Sequence, residues 1–370
     1  MGFLDFAFYG FVAVVIIQVV FYVFLFGKFA FSKQKKVTPK NIAISVIICA
    51  KNEAKNLKKF LPSIIEQDYP NFEIVLINDS SKDDTLEVIH HFSKLHDNLK
   101  VVNVKSIEAF WGNKKYALTL GIKASKNDFL LFTDADCKPV SKYWIKEMSA
   151  HFSNTKSIVL GYGAYSKIKN SILNKLVRFE TLITAINYFS FAKSSLPYMG
   201  VGRNLAYTKK EFFDANGFIN HIKLRSGDDD LFVNQIATQN NTTICFSKDS
   251  FTESIPKTTF KGWFKQKRRH VSTAKHYKMK HKVLLTLLYI SNVLFWLFAI
   301  ILFVSLFKWQ MVLGLFIFRI VLQYTILGVS SKKLGETDLL VSLPFLEIFL
   351  IITQLTIFIN NLISKPIHWK

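Results

Sequence analysis

Asp128-Phe129-Leu130-Leu131-Phe132-Thr133-Asp134-Ala135-Asp136 is a short apolar run that ends in two carboxylates one residue apart. Such a run, bounded by polar residues, reads as a buried strand of an α/β sheet. Open α/β sheets bind ligands at the carboxyl ends of their strands. Side chains two apart on an extended backbone point the same way, so Asp134 and Asp136 are expected to converge on one cation. Hard oxygen donors suit Mg²⁺ or Mn²⁺ and leave most of the coordination sphere to water and phosphate oxygens. Asp-x-Asp alone is common in solvated loops, and by itself it favours that plainer reading. The surrounding sequence reverses the balance.

Upstream, the chain alternates strand and helix. Ile42 to Ala50 is β-branched, and Lys51-Asn52-Glu53 leads into a helix with Leu57, Phe60, Leu61, Ile64 and Ile65 on one face. Phe72 to Asp79 reads as the next strand, after which Asp83 is placed to cap a helix carrying Leu86, Ile89 and Phe92. Leu99 to Lys105 is a third strand, and Lys114 to Ile122 a helix before the opening run. This rhythm predicts a mostly parallel sheet with loops ending on one edge at Glu53, Asp79 and the Asp134/Asp136 pair, joined by the cation of Lys114. Each residue alone serves as a cap or turn. Together they suit a nucleotide, with carboxylates for base or ribose and a metal for the diphosphate.

The chain has 370 residues, half of them hydrophobic, which points to a membrane protein. Uncharged or nearly uncharged stretches at 7–26, 283–307, 310–329 and 339–363 are each long enough to cross a bilayer core of about 30 Å. The first lacks a basic start and a small-residue cleavage site, so it reads as a retained anchor. Lys28, Lys33, Lys35, Lys36 and Lys40 follow it closely, which places the polar region after it in the cytoplasm; Lys332 and Lys333 agree. Three full C-terminal crossings put Lys365 and Lys370 outside, against that bias. The last segment, with Pro344 and Glu347 near its start, is therefore the candidate for a re-entrant or interfacial one. Glu347 reads either as functional or as a solvated acid at the cytoplasmic mouth.

The formal net charge of +22 raises nucleic acid as a partner. Much of the excess, however, sits beside the apolar segments, notably from Lys257 to Lys282, where anionic headgroups account for it, and neither zinc-ligand spacing nor a recognition helix is present. Nucleic acid is not an expected partner. Cys49, Cys137 and Cys245 have no paired spacing and suit a reducing compartment.

The strings Ser45-Val46-Ile47-Ile48-Cys49-Ala50-Lys51-Asn52-Glu53, Asn78-Asp79-Ser80-Ser81, Lys114-Lys115-Tyr116-Ala117-Leu118 and Thr133-Asp134-Ala135-Asp136 occur in that order. They resemble the nucleotide-binding half of a family 2 glycosyltransferase with the Rossmann-like GT-A fold. The resemblance implies that Asp79 helps bind the nucleoside, and that Asp134 and Asp136 contact the ribose and a divalent metal on the diphosphate. Asn78 stands where that family often has a second acid.

Later segments extend the likeness. From Ser171 to Ala192, apolar residues recur at helical spacing, as in ordinary core packing or a surface-lying amphipathic helix. Gly200-Val201-Gly202-Arg203-Asn204 resembles the acceptor-side loop, which assigns Gly202 and Asn204 to the acceptor. Ser226-Gly227-Asp228-Asp229-Asp230-Leu231 opens a helix with three acids; capping explains one or two, and mutual repulsion raises a carboxyl toward the range of a base. It resembles the family's acidic motif, with either Asp229 or Asp228 as the base according to register. Gln266-Lys267-Arg268-Arg269-His270 reads as a membrane-proximal charge run and also resembles the Gln-x-x-Arg-Trp motif that closes over the diphosphate. His270 replaces the Trp on the acceptor side, which argues against processive synthesis, with Trp263 as a possible substitute.

The expectation is an anchor (1–28), a cytoplasmic GT-A domain (41–270, divided at 143/144) and a C-terminal membrane region (283–370), in an integral protein of the cell's inner or plasma membrane. Its implied activity is inverting, metal-dependent transfer from a nucleotide-diphosphate sugar, UDP-linked by preference, to a lipid or lipid-linked glycan. A processive polysaccharide synthase and a non-catalytic nucleotide-binding membrane scaffold are the alternatives.

Overall fold

The computed structural model describes residues 2–34, 37–38, 40–105, 114–224 and 226–364. Lys35, Lys36, Lys365 and Lys370 of the charge argument lie outside them. The strands are β1 (Ile44–Ala50), β2 (Phe72–Asp79), β3 (Leu99–Val104), β4 (Phe129–Asp134), β5 (Cys137–Pro139), β6 (Ile158–Leu160), β7 (Gly163–Tyr165), β8 (Leu205–Thr208), β9 (Thr242–Ile244) and β10 (Thr252–Ser254). Seven form one sheet in the order β3-β2-β1-β4-β8-β6-β9, and β5-β10-β7 form a small second one. β3, β2, β1 and β4 run parallel, as the strand–helix rhythm predicts; β8 is antiparallel to both β4 and β6.

Alternation along the strands divides the core. Val46 and Ile48 face Leu57, Leu61 and Trp144, while Ile47, Val75 and Ile77 face Ala117, Leu118 and Ile122. The helix Lys114–Ala124 lies so close to the sheet that a Cβ on Gly121 would come within 2.2 Å of Ile77 Cδ1. Glycine is what lets this helix approach, and the approach seats Lys114 at the strand ends.

Among the described residues, four helical stretches are long and apolar enough to cross a membrane: Phe3–Ala30, Met279–Val304, Trp309–Leu334 and Thr337–Ile363. The first contains a π-helical turn, Phe21–Phe26, and its inner end enters the core of the α/β domain, with the Phe29 ring centroid 5.0 Å from that of Phe189 in a tilted pair and 5.3 Å from that of Phe246 edge to face. Phe189 belongs to the helix Ile172–Lys193, which also buries Leu176, Phe179, Leu182 and Ile186, as core packing requires.

Several local expectations change. The opening run is not one strand: β4 ends at Asp134 and the chain turns at Ala135-Asp136 into β5, so a turn rather than extended alternation brings the two acids together. Asp84, not Asp83, is the N-cap residue of Thr85–Leu95. Asp83 instead accepts hydrogen bonds from the backbone N–H of Thr85 at 3.1 Å and of Ala54 at 3.3 Å, pinning two helix starts to each other. Glu347 is buried and paired with Arg319 at 2.6 Å, because an unpaired charge among apolar helices is too costly, so it is not a solvated acid.

Candidate active site

β1, β2 and β4 are adjacent and end together: Ala50 is in register with Asn78, and Cys49 with Asp134. The loop after β1 begins with Asn52 at φ 56°, whose Oδ1 accepts from the N–H of Lys82 at 2.8 Å. The N–H of Glu53 donates to Thr85 Oγ1 at 2.8 Å, and the Glu53 carboxylate accepts from Asn56 Nδ2. Asp79 is buried with Lys51 Nζ 3.3 Å away. Asn78 donates to Asn103 Oδ1 at 2.8 Å. These bonds hold the two loops as one rim above the strand ends.

The centre is Lys114. Its Nζ lies 3.0 Å from Asp134 Oδ1 and 2.9 Å from Asp228 Oδ2. Burial works against its charge, but Asp134 and Asp228 overcome that and raise its pKa well above the lysine range. For Asp228, burial favours the neutral acid; Lys114 prevails and holds the carboxyl below its ordinary value. Asp229 has no such partner. Burial, then the charges of Asp228 and Asp230, push it up to about 7, against a hydrogen bond of 2.7 Å from the Gly202 N–H to its Oδ2. Adjacent acids thus differ because Lys114 pairs directly with the first and acts on the second only at a distance, too weakly to offset burial and the neighbouring acids.

The third acid is structural. Asp230 opens the helix Asp230–Ile236 and accepts hydrogen bonds from Tyr277 Oη at 2.7 Å and from Thr273 Oγ1. Gly227 sits at φ 95°, where a Cβ would approach Leu231 Cδ1 to 2.4 Å, so glycine is required for the turn into the acids. That turn is fixed from beneath by the buried Lys115, which donates to the carbonyls of His221, Leu224 and Ser226 at 2.7, 3.0 and 2.8 Å. Burial lowers its pKa to about 8.

On the other flank, donor atoms of Asp134, Asp136 and Cys137 lie within 4.8 Å of one another. Burial, then Asp134 and Glu53, raise the Asp136 carboxyl. Burial, then the charges of Asp136 and Asp134, hold the Cys137 thiol well above its usual range, so it is protonated and a poor ligand for a hard cation. Two carboxylates remain, a donor set that fits a hard divalent ion. Arg203 braces this corner: it donates to Ala164 O and Ser254 Oγ at 3.0 Å each and lies 4.2 Å over the Tyr165 ring.

The helix Phe260–Val271 carries Gln266, Arg269 and His270. Burial pulls the Arg269 guanidinium down in pKa while Asp228, Asp134 and Asp229 support its charge, which sets it facing the site acids. Gln266 is half-buried and His270 exposed, with Nε2 3.4 Å from Arg269 Nη2. Two expectations fail here. Trp263 is buried beside Tyr165 and Val177 and cannot replace the missing Trp as a sugar platform. Asn204 is fully buried, accepting from Trp144 Nε1 at 3.0 Å and donating to Tyr162 O and Ser250 O at 2.9 and 2.7 Å, so it shapes the loop and does not face an acceptor.

Residues 45–213, which span β1 to the β8 edge, match the profile of glycosyl transferase family 2. The chain carries a family 2 glycosyltransferase domain. It is 32% identical over 120 residues to the glycosyltransferase AglE of Haloferax volcanii, covering 32% of this chain and 38% of that one. It is 31% identical over 179 residues to the poly-beta-1,6-N-acetyl-D-glucosamine synthase of Staphylococcus epidermidis, covering 42% and 41%. The similarity thus spans well under half of either relative. A mannosyltransferase from Pyrobaculum calidifontis, solved with GDP-Man and Mn²⁺, superposes with a TM-score of 0.59 at 16% identity over 90% of this chain and 98% of that chain. That likeness places the glycosyltransferase domain in the GT-A fold. Sequence reasoning missed Lys115, Arg203 and Asp230 as determinants of its site; only the unusual run of three acids hinted at Asp230.

Proposed function

We propose that this protein transfers a sugar from a nucleotide-diphosphate donor to a lipid or lipid-linked glycan, with inversion at the anomeric carbon. The observation that carries the reading is the contrast between Asp228, held ionised by Lys114 at 2.9 Å, and the neighbouring Asp229, raised to about 7. A carboxylate in that range is matched to removing a proton from an acceptor hydroxyl near neutral pH, which makes Asp229 the base and Asp228 its electrostatic neighbour. The freed oxygen attacks the anomeric carbon opposite the leaving diphosphate, and one displacement inverts the centre. Lys114 and Arg269 supply positive charge toward the leaving group, Glu53 and Asp79 line the nucleoside rim, Gln266 joins Arg269 on the nucleotide-sugar side, and Gly202 and His270 border the acceptor side. Asp134 and Asp136 would hold Mg²⁺ or Mn²⁺, which supplies charge neutralisation for the diphosphate.

We assign the regions 1–28, 41–270 and 283–370 to anchor, catalytic domain and membrane region, with the catalytic domain cytoplasmic. The apolar helices beside the site favour an acceptor drawn from the bilayer. The Staphylococcus epidermidis relative favours polysaccharide synthesis as a second reading; the burial of Trp263 removes one aromatic platform for a growing chain.

The test is nucleotide-diphosphate release by purified protein in mixed lipid, across UDP- and GDP-sugars with Mn²⁺ or Mg²⁺, beside Asp136→Ala and Asp229→Ala. Release from one donor, lost in both variants, is expected, and mass spectrometry of the lipid extract then separates single transfer from polymer. Absence of both release and metal-dependent nucleotide binding would overturn the reading.

A further inference from the structure

Three of the four long apolar helices share a design. Their outer ends pack on one another, with Ala7, Phe11 and Val15 against Phe295, Ala299 and Val312. No described residue of the glycosyltransferase domain belongs to that cluster. At its tip, Lys308 Nζ lies 4.0 Å from Asp5 and 4.6 Å from the Phe8 ring centroid. These helices run from the catalytic domain to a far end that the domain does not touch.

Thr337–Ile363 is built differently, because both of its ends are tied to the glycosyltransferase domain. At the start, Lys167 donates to Asp338 Oδ1 at 2.7 Å and to Gly335 O at 2.9 Å, and Arg178 donates to Glu336 Oε2 at 3.0 Å and Asp338 Oδ2 at 2.9 Å. At the finish, Arg268 donates to Asn361 Oδ1 and Asn360 O at 3.0 Å each and to Ser364 O at 2.7 Å; Asn361 Nδ2 returns a bond to Arg268 O at 3.0 Å. Between them, Phe349 meets Phe260 with centroids 6.1 Å apart. Arg268 belongs to the helix Phe260–Val271, so the finish of the last helix is held against that helix. The 21-residue helix Leu343–Ile363 is about 30 Å long, enough to cross a bilayer core. A helix that crosses nevertheless has its ends on opposite faces, and this one has both on the same domain.

We propose that Leu343–Ile363 enters and leaves the membrane on the face that carries the glycosyltransferase domain, so that the chain crosses three times. Phe345, Ile348, Ile352, Leu355, Ile359 and Leu362 form an exposed apolar stripe at intervals of three and four residues. Its occupant is the acyl region of the adjoining leaflet. The stripe is continuous with the apolar faces of the crossing helices, and exposed Lys261 and Lys265 on the neighbouring Phe260–Val271 helix suit anionic headgroups beside it. Three crossings also leave Lys28, Lys278, Lys280, Lys282, Lys332 and Lys333 on one face, as the positive-inside bias requires, and bring the basic C-terminal sequence to that face.

The inference rests on no part of the catalytic reading and is tested by sidedness. In the full chain, Gly2→Cys and Ile363→Cys are reacted with a membrane-impermeant maleimide in intact cells and in inverted vesicles, with the parent protein giving the background of Cys49, Cys137 and Cys245. Labelling of Gly2→Cys in cells only and of Ile363→Cys in inverted vesicles only is expected. Labelling of both from one face means four crossings and overturns the proposal. A protease-cleavable tag after Lys370 gives the same answer without altering the helix: it is digested in inverted vesicles if the proposal holds, and protected if it fails.

Discussion

Two of the charged clusters enclosed in this molecule are finished to different degrees. In the helical region, Arg319 donates to Gln18 Oε1 and Gln323 Oε1 at 2.6 Å each and to the two oxygens of Glu347 at 2.6 and 3.1 Å. Trp296 and Gln323 complete the carboxylate at 3.3 and 2.8 Å. One cation meets one anion there, and every guanidinium nitrogen has a partner. In the active site, one lysine serves Asp134 and Asp228 while Asp229 and Asp136 crowd behind. The first cluster is closed and holds helices in register. The second has an excess of anions and uncommitted lone pairs, which is the condition for binding a cation and moving a proton.

The contrast breaks most severely at Asp229. Asp229→Asn keeps the shape but removes the proposed base, and its single amide oxygen can accept only one of the two backbone N–H bonds, from Gly202 and Asp230, that the carboxylate takes, so nucleotide release is expected to fall by roughly 10²–10⁴-fold with nucleotide affinity unchanged. Next is the closed cluster. Glu347→Ala strands Arg319 and should destabilise the protein by about 3–5 kcal/mol in denaturation from detergent, whereas the double variant Arg319→Met/Glu347→Leu should recover most of the loss.

A gentler probe is pH. Because the Asp229 carboxyl is raised to about 7, turnover should climb with pH below that value and level off above it. The stability sign is opposite. The folded state holds this proton more tightly than the unfolded chain, so the group loses stability as pH rises from the ordinary carboxyl range through about 7. Raising the pH from about 4 to about 8 should therefore lower the unfolding temperature of the parent more than that of Asp229→Asn. The smallest effect is expected at Asp83, which joins two helix starts away from either cluster: Asp83→Ala should cost about 1 kcal/mol, read as a shifted denaturation midpoint.

The parallel half of the fold was legible because β1, β2 and β4 are buried on both faces and read as mostly apolar runs, interrupted only by single polar residues such as Ser45 and Glu73 before their polar ends. Asp134, Lys114 and the acids at 228–230 could be named from their places at strand and helix ends. What was not legible depended on distant partners. Lys114 chooses Asp228 over Asp229 through space, Lys115 looks like its neighbour in sequence yet turns inward to three carbonyls, and Asn204 resembles a binding residue until Trp144 claims its oxygen. The last helix shows the same limit. Its composition satisfies a membrane span, and only its contacts at Arg178 and Arg268 reveal where its ends lie.

The shared lysine also links the two substrates thermodynamically. Lys114 is the common ion of Asp134 and Asp228, which the proposed function places on the donor side and beside the base, so its charge is a single quantity divided between them. A diphosphate that draws Lys114 toward itself leaves the charge on Asp228 less compensated, and Asp229 then holds a proton more strongly. Donor occupancy would thereby move the rising limb of the pH profile to higher pH, giving a stronger base of which less is deprotonated at neutral pH.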